Sequence, residues 1–163
     1  MSTLNLFIVD DNASLANSLQ LFLETKFGNE LNINTFTDGE SALKMVDERT
    51  NIVILDCNLN DMNSNVVLKK IKQINAKTEV IMLTSNADIE MAINAFKNGA
   101  TDYVVKGKNS FGKIRLLIEN IVTYPIKFLV REMKISKFLA IFLLTFITMG
   151  IVVLLVYKYV AIF

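Results

Sequence analysis

The chain has 163 residues, with 17 basic and 16 acidic side chains, one cysteine and no histidine. A net charge of +1 argues against binding dominated by neutralising nucleic-acid phosphates, and the single Cys57 excludes an internal disulfide or a cysteine-rich zinc site. The absence of histidine excludes a Ser-His-Asp triad, a His-ligated metal and any role as a phosphohistidine donor.

In chain order, short apolar runs alternate with amphipathic stretches. Leu4 to Val9 reads as a buried strand, and Asn12 to Phe27 as a helix with Leu15, Leu19, Phe22 and Leu23 on one face. Leu31 to Phe36 alternates as a strand does, and Asp38 to Arg49 is a short helix capped by Asp38. A strand at Asn51 to Asp56 is followed by a helix at Asn63 to Gln73, a strand at Glu79 to Thr84 and a helix at Ala87 to Asn98 that Gly99 terminates. Thr101 to Lys106 is the last strand, and Ser110 caps a helix expected to run to about Tyr124, where Pro125 kinks or breaks it. Five β-α units at this spacing predict an α/β fold, a doubly wound parallel sheet of the flavodoxin-like order 2-1-3-4-5.

The C-terminus has a different character. Phe138 to Tyr157 carries no Asp, Glu, Lys, Arg, Asn or Gln. A helix of about twenty such residues spans roughly 30 Å, the thickness of a bilayer's hydrocarbon core. Lys127, Arg131, Lys134 and Lys137 precede it and only Lys158 follows, so the positive-inside rule places the N-terminal domain in the cytoplasm. The N-terminus lacks the basic region of a signal peptide. The expected organisation is a domain at 1–122, a basic juxtamembrane connector at 123–137, a transmembrane helix at 138–158 and a tail at 159–163, in a single-pass protein of the inner (cytoplasmic) membrane.

In an open parallel sheet, function gathers at the carboxyl ends of the strands. Those ends carry Asp10 and Asp11, Asp56, Thr84 and Lys106. Each is ordinary alone: Asp10-Asp11-Asn12 as a helix cap, Asp56 as a turn residue, Thr84 as a cap, Lys106 as a solvated charge. Together they suggest three carboxylates meeting in one cleft, where a hard divalent cation such as Mg²⁺ relieves their repulsion. Asp56 is then both a metal ligand and a nucleophile. The cation, Lys106 and a hydroxyl neutralise an arriving phosphoryl group.

The segments Phe7-Ile-Val-Asp-Asp11, Ile54-Leu-Asp-Cys-Asn-Leu-Asn-Asp-Met-Asn63, Val80-Ile-Met-Leu-Thr-Ser85 and Gly99-Ala-Thr-Asp-Tyr-Val-Val-Lys106 resemble the receiver domain of two-component response regulators over residues 3 to 122. The resemblance implies that Asp56 accepts phosphate from the phosphohistidine of a sensor histidine kinase or phosphotransfer protein. It implies that Asp10, Asp11, Asp56 and the Asn58 carbonyl bind Mg²⁺, that Thr84 and Lys106 contact the phosphoryl group, and that Tyr103 is a switch aromatic turning inward as Thr84 moves. Three positions depart from the family's usual residues: Asn60 and Gly107 stand for proline, and Ser64 for glycine. Without proline, the bond after Lys106 is expected to be trans or the loop more mobile, with Lys106 less well aimed at the site as a result.

No catalytic activity is expected beyond self-catalysed aspartyl phosphorylation and dephosphorylation. Output is expected through contact with a membrane protein partner or a second copy, without nucleic acid. Two alternatives stay open: a phosphorylation-independent receiver-like adaptor, and a docking subunit of a membrane protein complex.

Overall fold

A computed structural model describes residues 3–132 and 137–160; within its helices the side chains of residues 123–132, 137–141, 143, 144, 153, 155, 156, 159 and 160 lie outside the description. The elements are β1 (Leu4–Val9), α1 (Ala13–Phe27), β2 (Leu31–Phe36), α2 (Gly39–Met45), β3 (Thr50–Asp56), α3 (Ser64–Ile74), β4 (Glu79–Thr84), α4 (Ile89–Lys97), β5 (Asp102–Val105), α5 (Ser110–Glu132) and α6 (Lys137–Val160), with one 3₁₀ turn at Gly28–Glu30. All five strands are parallel, in the order β2-β1-β3-β4-β5 expected from the sequence.

Helices on the sheet explain the uninterrupted apolar runs. β1 is buried from Leu6 to Val9, β3 from Ile52 to Asp56 and β4 from Val80 to Thr84, as expected for central strands covered on both sides. On one side, Val67, Leu68 and Ile71 of α3 pack with Val9, Val53, Leu55, Val80 and Met82. The chain divides into two compact units, Met1–Ile118 and Glu119–Phe163, and the sheet lies in the first.

Four helix starts are held by side-chain oxygens. Asn12, Asp38, Asn63 and Asp88 accept from the backbone N–H groups of Leu15, Ser41, Asn65 and Glu90 respectively, each satisfying a donor the helix itself leaves unpaired. Contrary to the expectation above, Ser110 is not the cap of its helix. It is the first helical residue, and its hydroxyl donates back to the Gly107 carbonyl at 2.8 Å.

Two helix ends differ from the sequence reading. α2 stops at Met45 rather than Arg49. Asp47 accepts from the Arg49 N–H (2.9 Å) and guanidinium, and the Thr50 N–H bonds the Asp47 carbonyl (3.1 Å). A local carboxylate bridge of this kind competes with helical backbone pairing. α5 runs on to Glu132, through Pro125, instead of ending near Tyr124. Proline removes one hydrogen bond and crowds the preceding turn, and the helical backbone continues on both sides of it.

The second unit contains α6, whose uncharged stretch 138–157 is the sequence's candidate span. Among the described residues no helix is long and apolar enough to cross a membrane. The side chains of Leu143, Leu144, Val153, Leu155 and Val156 lie outside that set, so the span rests on sequence. Residues 133–136 of the connector and 161–163 of the tail also lie outside the described residues.

Candidate functional site

The order of the sheet reverses between β1 and β3, opening a crevice at their carboxyl ends. Asp10 follows β1 directly, its N–H bonded to the Phe36 carbonyl of β2 at 3.0 Å. Asp56 is the last residue of β3, in register with Leu83 of β4. Thr84 pairs with Val105, and the Lys106 N–H bonds the Thr84 carbonyl at 2.6 Å. Parallel registry thus lines up these residues at one edge.

Asn12 does the capping of α1, which leaves both preceding acids for the cleft. The Asn12 N–H donates to Asp10 Oδ1 at 3.0 Å. Carboxylate oxygens of Asp10, Asp11 and Asp56 lie within 4.8 Å of one another. The Lys106 Nζ stands 2.9 Å from both Asp10 Oδ2 and Asp56 Oδ2. The two acids are 1% and 2% exposed, so one ammonium bridges two buried carboxylates, with Asp11 the third acid of the cluster. The peptide bond after Lys106 is trans, as are all described peptide bonds, and Gly107 in place of proline leaves Lys106 aimed at the acids.

Burial pushes the Asp56 carboxyl above the usual range, while Lys106 and the Asn58 N–H pull it back in part. Burial also opposes the charge on Lys106, but its bonds to Asp10 and Asp56 outweigh that and raise it above 10.5. Charge is therefore retained on the lysine and strained on the acid. Asp56 Oδ1 is buried and accepts no hydrogen bond from the protein. Asp10 Oδ2 is buried with only the ionic contact to Lys106. Hard oxygen donors, excess negative charge and an unsatisfied carboxylate oxygen fit a magnesium-sized cation.

Thr84 is buried, and its Oγ1 accepts from the Asn86 N–H at 3.2 Å. Tyr103 packs its ring partly on the core, and its hydroxyl donates to the Asn86 carbonyl at 3.3 Å. Asn86 thus touches both members of the expected switch pair. Cys57 sits beneath them, its thiol pushed up to about 11 by burial. That suits a packing residue more than a reactive one. Asn58 is exposed on the loop after β3.

Two contacts in that loop were not legible in the sequence. The Asn60 side-chain amide donates to Asp11 Oδ2 at 2.6 Å. The Ser64 hydroxyl donates to the Cys57 carbonyl at 3.0 Å. Both positions stand out in sequence only as departures from the family pattern. Nothing local tells where their side chains point.

Fold and site together define a doubly wound α/β module with an acidic, lysine-bridged, cation-fitting cleft at the carboxyl edge of its sheet. Residues 6–118 match the response regulator receiver domain family. The transcriptional regulatory protein ZraR of Escherichia coli O157:H7 is 33% identical over 104 residues, covering 63% of this chain and 23% of that protein. The DNA-binding transcriptional regulator NtrC of Klebsiella pneumoniae is 34% identical over 101 residues, covering 61% and 21%. Among solved structures, the BeF3-activated receiver domain of DrrB matches with a TM-score of 0.66 and 26% identity, covering 74% of this chain and 98% of that one.

The chain belongs to the response regulator receiver domain family. It is a receiver domain of two-component signalling, which accepts phosphate on an aspartate; receiver domains bind Mg²⁺ in an acidic pocket, and Asp10, Asp11 and Asp56 form an acidic cluster here. The chain spans about a quarter of the length of these curated relatives. Their names stand against the expectation that nucleic acid plays no part in the signalling of such proteins.

Proposed function

We propose that this protein is a membrane-anchored receiver that takes a phosphoryl group onto Asp56 from a histidine kinase or phosphotransfer protein. The observation that carries the reading is Asp56 at the end of the central strand, with Lys106 Nζ 2.9 Å from its Oδ2 and its Oδ1 without a partner. Asp56 attacks phosphorus as the bond to the donor's imidazole nitrogen breaks, and the imidazole leaves with that electron pair. Asp10, Asp11, Asp56 and the Asn58 carbonyl are the groups to hold Mg²⁺, which supplies positive charge against the phosphoryl oxygens. Lys106, already between Asp10 and Asp56, moves its ammonium onto a phosphoryl oxygen. Thr84 supplies a hydroxyl to another. Because Thr84 and Tyr103 both bond Asn86, movement of Thr84 disturbs the tyrosine's anchor.

The chemistry ends at formation and hydrolysis of the aspartyl phosphate, with no other substrate. Output is by contact. Ile89, Ile93 and Phe96 leave an exposed apolar stripe on α4, suited to a partner protein or a second copy. Anchoring is supported by the uncharged stretch 138–157 and by exposed Phe142, Phe146, Met149, Ile151 and Leu154 on α6. The preceding basic residues support a receiver on the cytoplasmic side.

The test is phosphoryl uptake by the full chain from a small acyl phosphate, with and without Mg²⁺. We expect uptake that needs Mg²⁺ and is lost in Asp56→Asn. Uptake surviving that substitution would move the acceptor elsewhere. No uptake by the wild-type chain from any phosphodonor would favour the phosphorylation-independent adaptor.

A further inference from the structure

The loop from Cys57 to Asn63 connects Asp56 to α3, and two side chains fasten it. Ser64, 5% exposed at the first turn of α3, donates its hydroxyl to the Cys57 carbonyl at 3.0 Å. Asn60, at the exposed crest, reaches across to β1's end and donates its amide to Asp11 Oδ2 at 2.6 Å. Asp11 is the least buried of the three clustered acids. Among the described residues its carboxylate accepts no other hydrogen bond. Asp10, by contrast, is held by the Asn12 N–H and by Lys106, and Asp56 by Lys106.

We infer that Asn60 is a positioning residue for the divalent-cation site, orienting the Asp11 carboxylate by occupying one of its oxygens. The inference rests on the reading of the acid cluster as a magnesium site. A half-buried aspartate still samples several rotamers, and some turn its carboxylate away from Asp10 and Asp56. A donor on Oδ2 selects one orientation and leaves the carboxylate's remaining lone pairs free for a cation. The amide is neutral, so it withdraws none of the negative charge that attracts the cation. Asn60 lies two residues beyond Asn58, so its bond also ties the loop bearing that carbonyl to Asp11. A side chain at position 60 that has no donor, or whose donor is too short to reach Asp11, loses both effects.

The experiment measures the Mg²⁺ dissociation constant of the full chain in a non-ionic detergent, by calorimetric titration. The variants are Asn60→Ala, Asn60→Ser, Asp11→Asn and the double change Asp11→Asn with Asn60→Ala. Both single changes at Asn60 are expected to weaken binding about three- to tenfold, the size of one ordinary, solvent-screened hydrogen bond. The Asn60→Ala effect should vanish in the Asp11→Asn background, because its acceptor charge is gone. Unchanged or tighter binding in both Asn60 variants overturns the inference, as does an undiminished effect when Asp11 is already Asn. Failure of the wild-type chain to bind Mg²⁺ at all sinks the metal site itself, a result distinct from an indifferent Asn60.

Discussion

At the scale of single residues, the cleft trades stability for reactivity. Asp56 is a carboxylate kept from water by β3 and β4, with one oxygen on Lys106 and the other unsatisfied. Its folded-state pKa is raised, with burial the main cause. A raised acid contributes stability below its unfolded value near 3.8, and loses it as pH rises through the folded value. Asp56→Asn should therefore raise the melting temperature in metal-free buffer at pH 7 by a few degrees. The advantage should shrink to nothing near pH 3; an advantage that persists there defeats the argument. Lys106→Met removes the ammonium from both acids, leaving two buried carboxylates without their cation. Because the lysine is partly exposed, we expect a loss of about 1–3 kcal/mol at neutral pH, read from denaturant midpoints, together with severely reduced phosphoryl uptake. Cys57, with its thiol pushed up to about 11, should react with iodoacetamide at pH 8 at least tenfold more slowly than an exposed thiol. Unfolding should abolish the difference.

At the scale of elements, the ends of helices and strands place the chemistry. Capping of α1 by Asn12 releases Asp10 and Asp11 from that duty. Gly99, just past α4, has φ +99, and its N–H bonds the Phe96 carbonyl at 3.0 Å. That backbone region suits glycine, and the turn feeds the chain into β5, which ends at Val105 beside Lys106. Gly99→Ala should cost about 1–2 kcal/mol, visible as a lower urea midpoint at unchanged slope. An unaltered midpoint would mean the turn relaxes freely. The early stop of α2 and the passage of α5 through Pro125 teach a common lesson. Helix propensity and proline bias the backbone locally, while side-chain bridges and packing decide where a helix ends.

At the scale of the whole molecule, two compact units differ sharply in chemistry. The first buries its apolar residues between sheet and helices. In the second, α6 carries Phe146, Met149, Leu154 and Tyr157 at more than 65% exposure, a surface that water penalises by roughly 25 cal/mol per Å². We expect the full chain to sediment with membranes and to resist extraction at alkaline pH, and a chain ending at Glu132 to remain in the supernatant. Release of the full chain by alkaline washing would rule out a spanning helix. The relatives' names tie their much longer chains to transcription, but the likeness covers about their receiver-sized quarter only.

The sequence alone determined the five β-α units, the strand order and the strand-end acids. Apolar periodicity is written residue by residue, and the handedness of parallel crossovers leaves few topologies. The receiver motifs named the family for the same reason, since Asp10, Asp11, Asp56, Thr84 and Lys106 lie at fixed offsets from their strands. What only the tertiary structure decided are relations across strands and loops. It put one ammonium 2.9 Å from two acids, seated Asn86 between Thr84 and Tyr103, and brought Asn60 onto Asp11 across 49 positions of chain. A hydrogen bond needs a partner within about 3 Å and a suitable angle, and for residues far apart in sequence both are set by the packing that lies between them.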